Sequence, residues 1–435
     1  MLPVCLFLLF AAIQTATAPA SPQPPNDYSL LQKIKLNVQA ELAKSANYTC
    51  VQTIERIYYG EKHACVANAP HGKPKEFMRD RLRLDVAVSE GKEIFSLHGE
   101  NRFASGGISS VISNGPRTSG QFVGFLRNIF FMPGVQFTFK GSSQANGKLV
   151  YSFDYVVQLL RSNYYLEGRR GKSIIPFHGG FSADAANFKL VHLNVVADQV
   201  PQNSGICSAE TDVDYQLVDI SGQQSLLPST FVLKMESEGD LYTVNRNQYA
   251  QCREFRGEST LHFTSVEPAE SAVVSHVVDD PLPAGLTLKA SLDSQIDDKN
   301  SYVGDAIQAT LIEPLPVPGS KTIIPKGATL HGVISKMEQH SGSGLTYWLV
   351  SVKFERLNSG DDSYLLSAWP LPPDYGNTMS HFGADRVLAA ETMDAAKRGL
   401  WFEDGAHFRL PKRFTRYWRT EQPNRTTPES ASGAR

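Results

Sequence analysis

At 435 residues the chain is longer than one hydrophobic core usually serves, so two domains are expected. A hydrophobic share of 41% with 10% aromatics is enough for packed cores. A formal net charge of −2 excludes a chain-wide attraction to nucleic acid or anionic membrane, leaving only local patches for such binding.

The run from Leu2 to Ile13 is almost wholly apolar, and Ala16-Thr17-Ala18 and Ala18-Pro19-Ala20 set small residues where a signal peptidase cuts. Length and order are those of a secretory signal over residues 1–20, although no Lys or Arg precedes the apolar run. A membrane-spanning helix needs about 20 apolar residues, which neither this run nor any later stretch supplies. The expectation is an exported chain, periplasmic or secreted, with no transmembrane span after cleavage. Cys50, Cys65, Cys207 and Cys252 follow the signal, and an even number in an exported chain points to two disulfides. No Cys-x-x-Cys pair occurs, so no zinc site is expected.

Residues 19–26 form a Pro-rich lead-in. Asp27 can cap a helix whose Leu31, Ile34, Val38 and Leu42 share one stripe, widened by Leu30 and ending near Ser45-Ala46-Asn47. From Tyr48 the period becomes two. Leu82, Leu84, Val86 and Val88 alternate with Arg81, Arg83, Asp85 and Ala87, the pattern of a half-buried strand. Tyr151 to Val157, Val213 to Leu217 and Phe231 to Met235 repeat it, with Ser221-Gly222 and Glu238-Gly239-Asp240 at hairpin spacing. A long antiparallel meander is predicted.

One helical stretch interrupts it. Phe122, Phe125, Leu126, Ile129 and Phe130 fall at helical spacing and stop at Met132-Pro133-Gly134. Such an aromatic face either plugs the open side of a sheet or acts as a lid over an apolar cavity. Periodicity breaks over residues 266–283, taken as a linker between a domain at 27–265 and a β-rich domain at 284–420. In the latter, Leu286 to Leu292, Ile307 to Leu311 and Trp348 to Phe354 alternate as strands. Ile324-Pro325-Lys326-Gly327-Ala328 reads as a turn, 370–396 as loop, and Gly399 to Arg419 as closing strand. Residues 421–435 read as a disordered tail.

The meander constrains the cysteines. With strands at 208–219, 225–236 and 240–252, Cys207 and Cys252 lie at opposite ends, about 35–40 Å apart at ~3.3 Å per residue. A disulfide needs Cα atoms within about 7 Å, so that pairing conflicts with the strands. Crossed pairings fit two ends of one sheet: Cys50 with Cys252 and Cys65 with Cys207, which is preferred, or the reverse.

No chemistry-bearing motif emerges. The eleven histidines include no His-Glu-x-x-His, and His178 and His192 flank one predicted hairpin. Gly168-Arg-Arg-Gly171-Lys172-Ser173 echoes a phosphate loop, but Leu166 stands where its first glycine belongs. No Gly-x-Ser-x-Gly elbow occurs. Asp279-Asp280, Asp297-Asp298 and Asp361-Asp362 are neighbours in loops, whereas catalytic acids must converge across a cleft. Arg409, Lys412, Arg413, Arg416 and Arg419 interleave with Phe408, Phe414, Tyr417 and Trp418. In an exported chain that patch suits an anionic envelope surface better than nucleic acid, and it also fits a final strand with aromatics inward and arginines outward. No catalytic residue, metal or cofactor is expected.

Residues 27–264 resemble exported proteins of acidobacterial type. The resemblance is carried by Asn47-Tyr-Thr-Cys-Val-Gln-Thr-Ile-Glu-Arg56, Gly179-Gly-Phe-Ser-Ala-Asp184, Lys189-Leu-Val-His-Leu193 and Arg253-Glu-Phe-Arg-Gly-Glu-Ser-Thr-Leu261. That layout is similar to the periplasmic lipoprotein-carrier fold, which implies a curved antiparallel sheet whose hollow, covered by helices, holds acyl chains. By that analogy Phe122, Phe125 and Phe130 line or cover the hollow, with Leu126 and Ile129 on the same face. Residues 283–367 resemble a small β module of type IV secretion and conjugation channel proteins, through Leu282-Pro-Ala-Gly-Leu-Thr-Leu288, Val303-Gly-Asp305 and Ile324-Pro-Lys-Gly-Ala-Thr-Leu-His-Gly332.

The expected fold is therefore mainly β with a few helices: a curved antiparallel sheet with covering helices, then a small barrel-like or sandwich-like domain. The expected function is a non-enzymatic envelope protein binding a lipid or other apolar ligand. The alternatives are an envelope scaffold with a protein partner and a hydrolase with a dispersed site. A cavity of several hundred Å3 would mark a binder, a convergent polar cluster a catalyst.

Overall fold

The computed structural model describes residues 27–44, 48–60, 65, 73–89, 92–100, 103–104, 107–112, 115–168, 171–202, 204–254, 277–278, 281–342, 344–371 and 401–422. The expected signal and lead-in at residues 1–26, Ser45-Ala46-Asn47, most of the 266–283 stretch, residues 372–400 and those beyond 422 lie outside the described residues.

Helix α1 (Asp27–Ala43) buries Leu30, Leu31, Ile34 and Val38, the predicted stripe. Strands β1 (Tyr48–Gly60), β2 (Lys75–Ser89) and β3 (Lys92–Leu97) follow. Next come helices α2 (Ile108–Val111) and α3 (Gly124–Phe130), strands β4 (Gln136–Ala145) and β5 (Lys148–Val157), and a short hairpin of β6 (Tyr165–Gly168) and β7 (Gly171–Ile174). Strands β8 (Phe177–Asp184), β9 (Leu190–Ala197), β10 (Ile206–Ile220), β11 (Gln223–Ser237) and β12 (Leu241–Glu254) complete this part. The pairings are all antiparallel and run β4-β5-β8-β9-β10-β11-β12-β1-β2-β3. The meander is thus as predicted, with the first strand slotted beside the last.

Turn chemistry sets its registers. Asn146-Gly147 and Ser221-Gly222 join β4 to β5 and β10 to β11 with positive φ at both residues (50° and 75°, 55° and 83°), the backbone that two-residue hairpins demand. One face of the curved sheet is covered by α1, α2 and α3. The core between them includes Ile34, Ile54, Leu84, Val86, Phe125, Ile129, Phe153, Phe181 and Val213, each at most 4% exposed.

The aromatic helix starts later than its spacing suggests, at Gly124, because the segment before it is held otherwise. The Glu93 carboxylate accepts the amide N–H groups of Gly120 (2.7 Å) and Phe122 (3.0 Å). Burial pushes the Glu93 carboxyl above its ordinary range, and these amides offset only part of the shift.

The second unit contains β13 (Val277–Val278), β14 (Thr287–Leu292), β15 (Ile296–Asp297), β16 (Ala306–Leu311), β17 (Leu315–Pro316) and β18 (Ile323–Ile324). It continues through β19 (Thr329–Gly342), β20 (Leu345–Ser359), β21 (Asp362–Pro370), β22 (Trp401–Asp404), β23 (Arg409–Leu410) and β24 (Thr415–Thr420). Pairings β14-β16-β19-β20-β21-β24 return to β14, closing a six-stranded antiparallel barrel and leaving those strands no free edge. Leu288, Ala290, Leu311, Leu330, Val352, Phe354, Ala368 and Trp418 fill it, and the Trp418 indole donates to the Val352 carbonyl at 3.0 Å. The inward alternation predicted along 286–292, 307–311 and 348–354 is this packing.

Sheet and barrel share backbone. Residues 338–340 of β19 run past the barrel and pair with 78–80 of β2, and Val303 exchanges hydrogen bonds with Arg81 and Arg83. The Tyr302 ring lies 4.0 Å from the Arg81 guanidinium and 4.1 Å from that of Arg83, while Arg83 pairs with Asp305 at 2.8 Å.

Glu338 sits in this joint. Burial alone would raise its carboxyl, but His340 (3.1 Å) and Lys336 (2.5 Å) outweigh that and hold it at about 2. A carboxyl depressed in the fold adds stability above its unfolded pKa near ~4.3 and loses it as pH falls toward 2. Allowing for partial solvent access, wild type is expected to lose roughly 1–2 kcal/mol more than Glu338→Gln between about pH 5 and 2, read by urea denaturation.

Candidate functional site

The inward side chains of β1 pass from apolar to polar along the strand: Tyr48, Cys50, Gln52, Ile54, Arg56, Tyr58. Gln52 donates to Asn247 at 3.0 Å, Asn245 donates to the Pro116 carbonyl at 2.8 Å, and Arg56 forms a two-pronged pair with its cross-strand neighbour Asp80 (Nε to Oδ1, 2.7 Å). All are buried. Tyr58 and Pro116, at one end of this belt, line a cavity at the end of the sheet.

The cavity measures about 670 Å3. Ile108 of α2, Phe125 of α3, Tyr164 and Leu166 before and within the β6–β7 hairpin, and Leu233 and Met235 of β11 supply its apolar wall. Arg117, Glu167, Lys172 and Glu238 also line it. The hairpin can reach so near because Gly168 has no side chain: a Cβ there would stand 2.1 Å from the Ser204 carbonyl oxygen. Burial pushes the Tyr164 phenol up to about 12 and that of Tyr58 higher still, so both remain neutral hydroxyls. The cavity has the size of a small-molecule site, and its lining is mixed, an apolar wall set among charged, amide and hydroxyl side chains.

Of the predicted apolar-site residues, Phe125 lines this cavity. All five belong to the packed core, Phe125 included, with Phe122 against Tyr48 and Tyr249 (5.7 and 4.8 Å) and Phe130 against Phe181 (4.9 Å). The cysteines pair as Cys50–Cys252 and Cys65–Cys207, with Cα separations of 4.1 and 5.5 Å. Arg409, Lys412, Arg413 and Arg419 are exposed and Arg416 half-buried, while Phe408 and Trp418 point inward. Of the phosphate-loop echo, Gly168 lies in β6 and Gly171, Lys172 and Ser173 in β7, while Arg169 and Arg170 lie outside the described residues. His178 and His192 contact Asp198 and Asp214 separately (3.2 and 2.9 Å), and no cluster able to hold a metal occurs among the described residues. No helix among the described residues is long and apolar enough to cross a membrane.

Leu166, Ile206, Leu233 and Met235 line the cavity and were missed in the sequence reading, as was the buried Arg56–Asp80 pair beside it. A signal for the last existed: each charge stands two residues from a buried apolar position, Ile54 and Leu82, on the inward phase of its strand.

No family model and no curated protein matches the chain. Among solved structures, a LolA superfamily protein from Nitrosomonas europaea is similar at 8% identity and a TM-score of 0.24, covering 53% of this chain and 94% of that one. A DUF1329 family protein from Desulfovibrio piger gives 8% and 0.25, covering 53% and 95%. The lipoprotein LppX from Mycobacterium tuberculosis gives 11% and 0.19, covering 53% and 99%. Overlap this shallow does not carry a function from one chain to the other.

Proposed function

We propose that the chain is a non-enzymatic, exported binder of an apolar, lipid-like ligand held at the end of the helix-covered face. The observation that carries this is the 670 Å3 cavity walled by Phe125, Leu166, Leu233 and Met235 and flanked by neutral phenols. Tyr165, which lines it, is half exposed, and Leu160 and Ile174 nearby in sequence are 94% and 56% exposed, a setting suited to receiving an apolar molecule. Two disulfides favour an oxidising compartment.

Lipid extracted from natively purified protein should appear in mass spectra, and a fluorescent fatty acid should bind saturably. Met235→Trp, which fills the cavity, should weaken that binding about tenfold or more. Absence of both co-purified lipid and saturable binding ends the proposal.

The exposed Arg409, Lys412, Arg413 and Arg419 favour a second role, in which the barrel docks on an anionic envelope partner. Crosslinking in the envelope fraction tests it, and a wholly unlinked monomer counts against it.

A further inference from the structure

On the side of β1 and β2 opposite the hollow, a cleft of about 470 Å3 lies between the sheet and the barrel unit. Glu55, Arg79, Arg81 and Arg246 line it from the sheet, Trp348 and His407 from the other side. Its cations are unequally matched. Arg79 is fully engaged, by Glu76 at 2.9 Å through two nitrogens and by Glu55 at 2.7 Å. Arg81 donates only to uncharged groups, the Asp298 and Lys299 carbonyls (2.6 and 3.1 Å) and the Tyr302 hydroxyl. Arg246 approaches Glu55 no closer than 3.7 Å. The Asp298 carboxylate is turned to His407 at 2.9 Å.

Among the described residues, then, Arg81 has no carboxylate partner, and Arg246 has only Glu55 at 3.7 Å, a carboxylate that Arg79 holds more closely at 2.7 Å. Trp348 also lines the cleft and is 5% exposed; its Nε1–H is itself buried, so the indole borders an occupant as a surface and not as a donor. Arg81 and Arg246 therefore suit an occupant that brings acceptors and negative charge.

We propose that this cleft binds a small polyanion bearing carboxylate or phosphate groups, gripped by Arg81 and Arg246 and seated against Trp348. The site is separate from the apolar cavity and does not depend on it. Full-length protein labelled with 15N at tryptophan is titrated with citrate and with pyrophosphate at constant ionic strength, with sodium chloride as control. The Trp348 indole N–H signal is expected to shift saturably with at least one anion, and the arm that saturates at lower concentration distinguishes carboxylate from phosphate.

Arg246 is half exposed, so Arg246→Gln keeps the fold. It should weaken anion binding about fivefold or more while leaving fatty-acid binding unchanged. The proposal is overturned if the Trp348 signal ignores both anions, if chloride moves it equally, or if Arg246→Gln titrates like wild type.

Discussion

Joint replacement of Cys50 and Cys252 by alanine is expected to destabilise the protein by about 3–5 kcal/mol, the upper part of the range for disulfides. The bridge spans 202 residues of sequence, and the entropy removed from an unfolded chain rises with the loop closed. Its position adds to this. The ladder between β1 and β12 slips between Thr49 and Val51, and the extra residue belongs to β12: Gln251, with φ of 51°, and Cys252 stand opposite the single Cys50. A bulge left without its covalent pin can move along β12, and each one-residue shift would turn side chains of that strand to the wrong face. The Cys65–Cys207 bridge spans 142 residues and ties down an exposed residue, so Cys65→Ala/Cys207→Ala should cost about 1–2 kcal/mol. Urea denaturation of the two double variants beside wild type measures both losses, and equal losses would remove the special role given to the bulge.

These pairings were partly legible before any coordinates. Strand alternation excluded Cys207–Cys252, because a side-chain period of two is visible wherever one face is buried, as along Leu82, Leu84, Val86 and Val88. Barrel closure was legible in outline, as a closing strand within Gly399–Arg419 and a barrel-like or sandwich-like domain, but its register was not: no local pattern specifies that Thr287–Ser291 pairs with the distant Thr415–Arg419. Helix α2, from Ile108 to Val111, is too short to show a period. The aromatic stripe at Phe122–Phe130 was readable as apolar, but burial in a core and exposure to a ligand leave the same spacing. Only the third dimension separates Phe125, at the cavity, from Ile129, packed beneath it. The cavity itself is built from segments scattered between Tyr58 and Thr243, each unremarked alone.

The Arg56–Asp80 pair leads to the other large effect. Both side chains are nearly inaccessible, at 6% and 5%, so Asp80→Ala leaves a guanidinium buried without its counter-charge. That change should cost about 3–5 kcal/mol, whereas Arg56→Met with Asp80→Leu should recover most of the loss, because neither charge then has to be desolvated. The pair also reaches the cavity. Gly115 presses so close that a Cβ there would stand 2.7 Å from Arg56 Nη1 and also against the Tyr58 hydroxyl, and both Gly115 and Tyr58 line the cavity. If the pair serves packing alone, the double variant regains stability and fatty-acid affinity together. If it sets the shape of the wall at residues 115–118, stability returns while affinity stays low. Unfolding curves and ligand titrations on the same three proteins separate these outcomes, and an Asp80→Ala protein as stable as wild type would refute the burial argument itself.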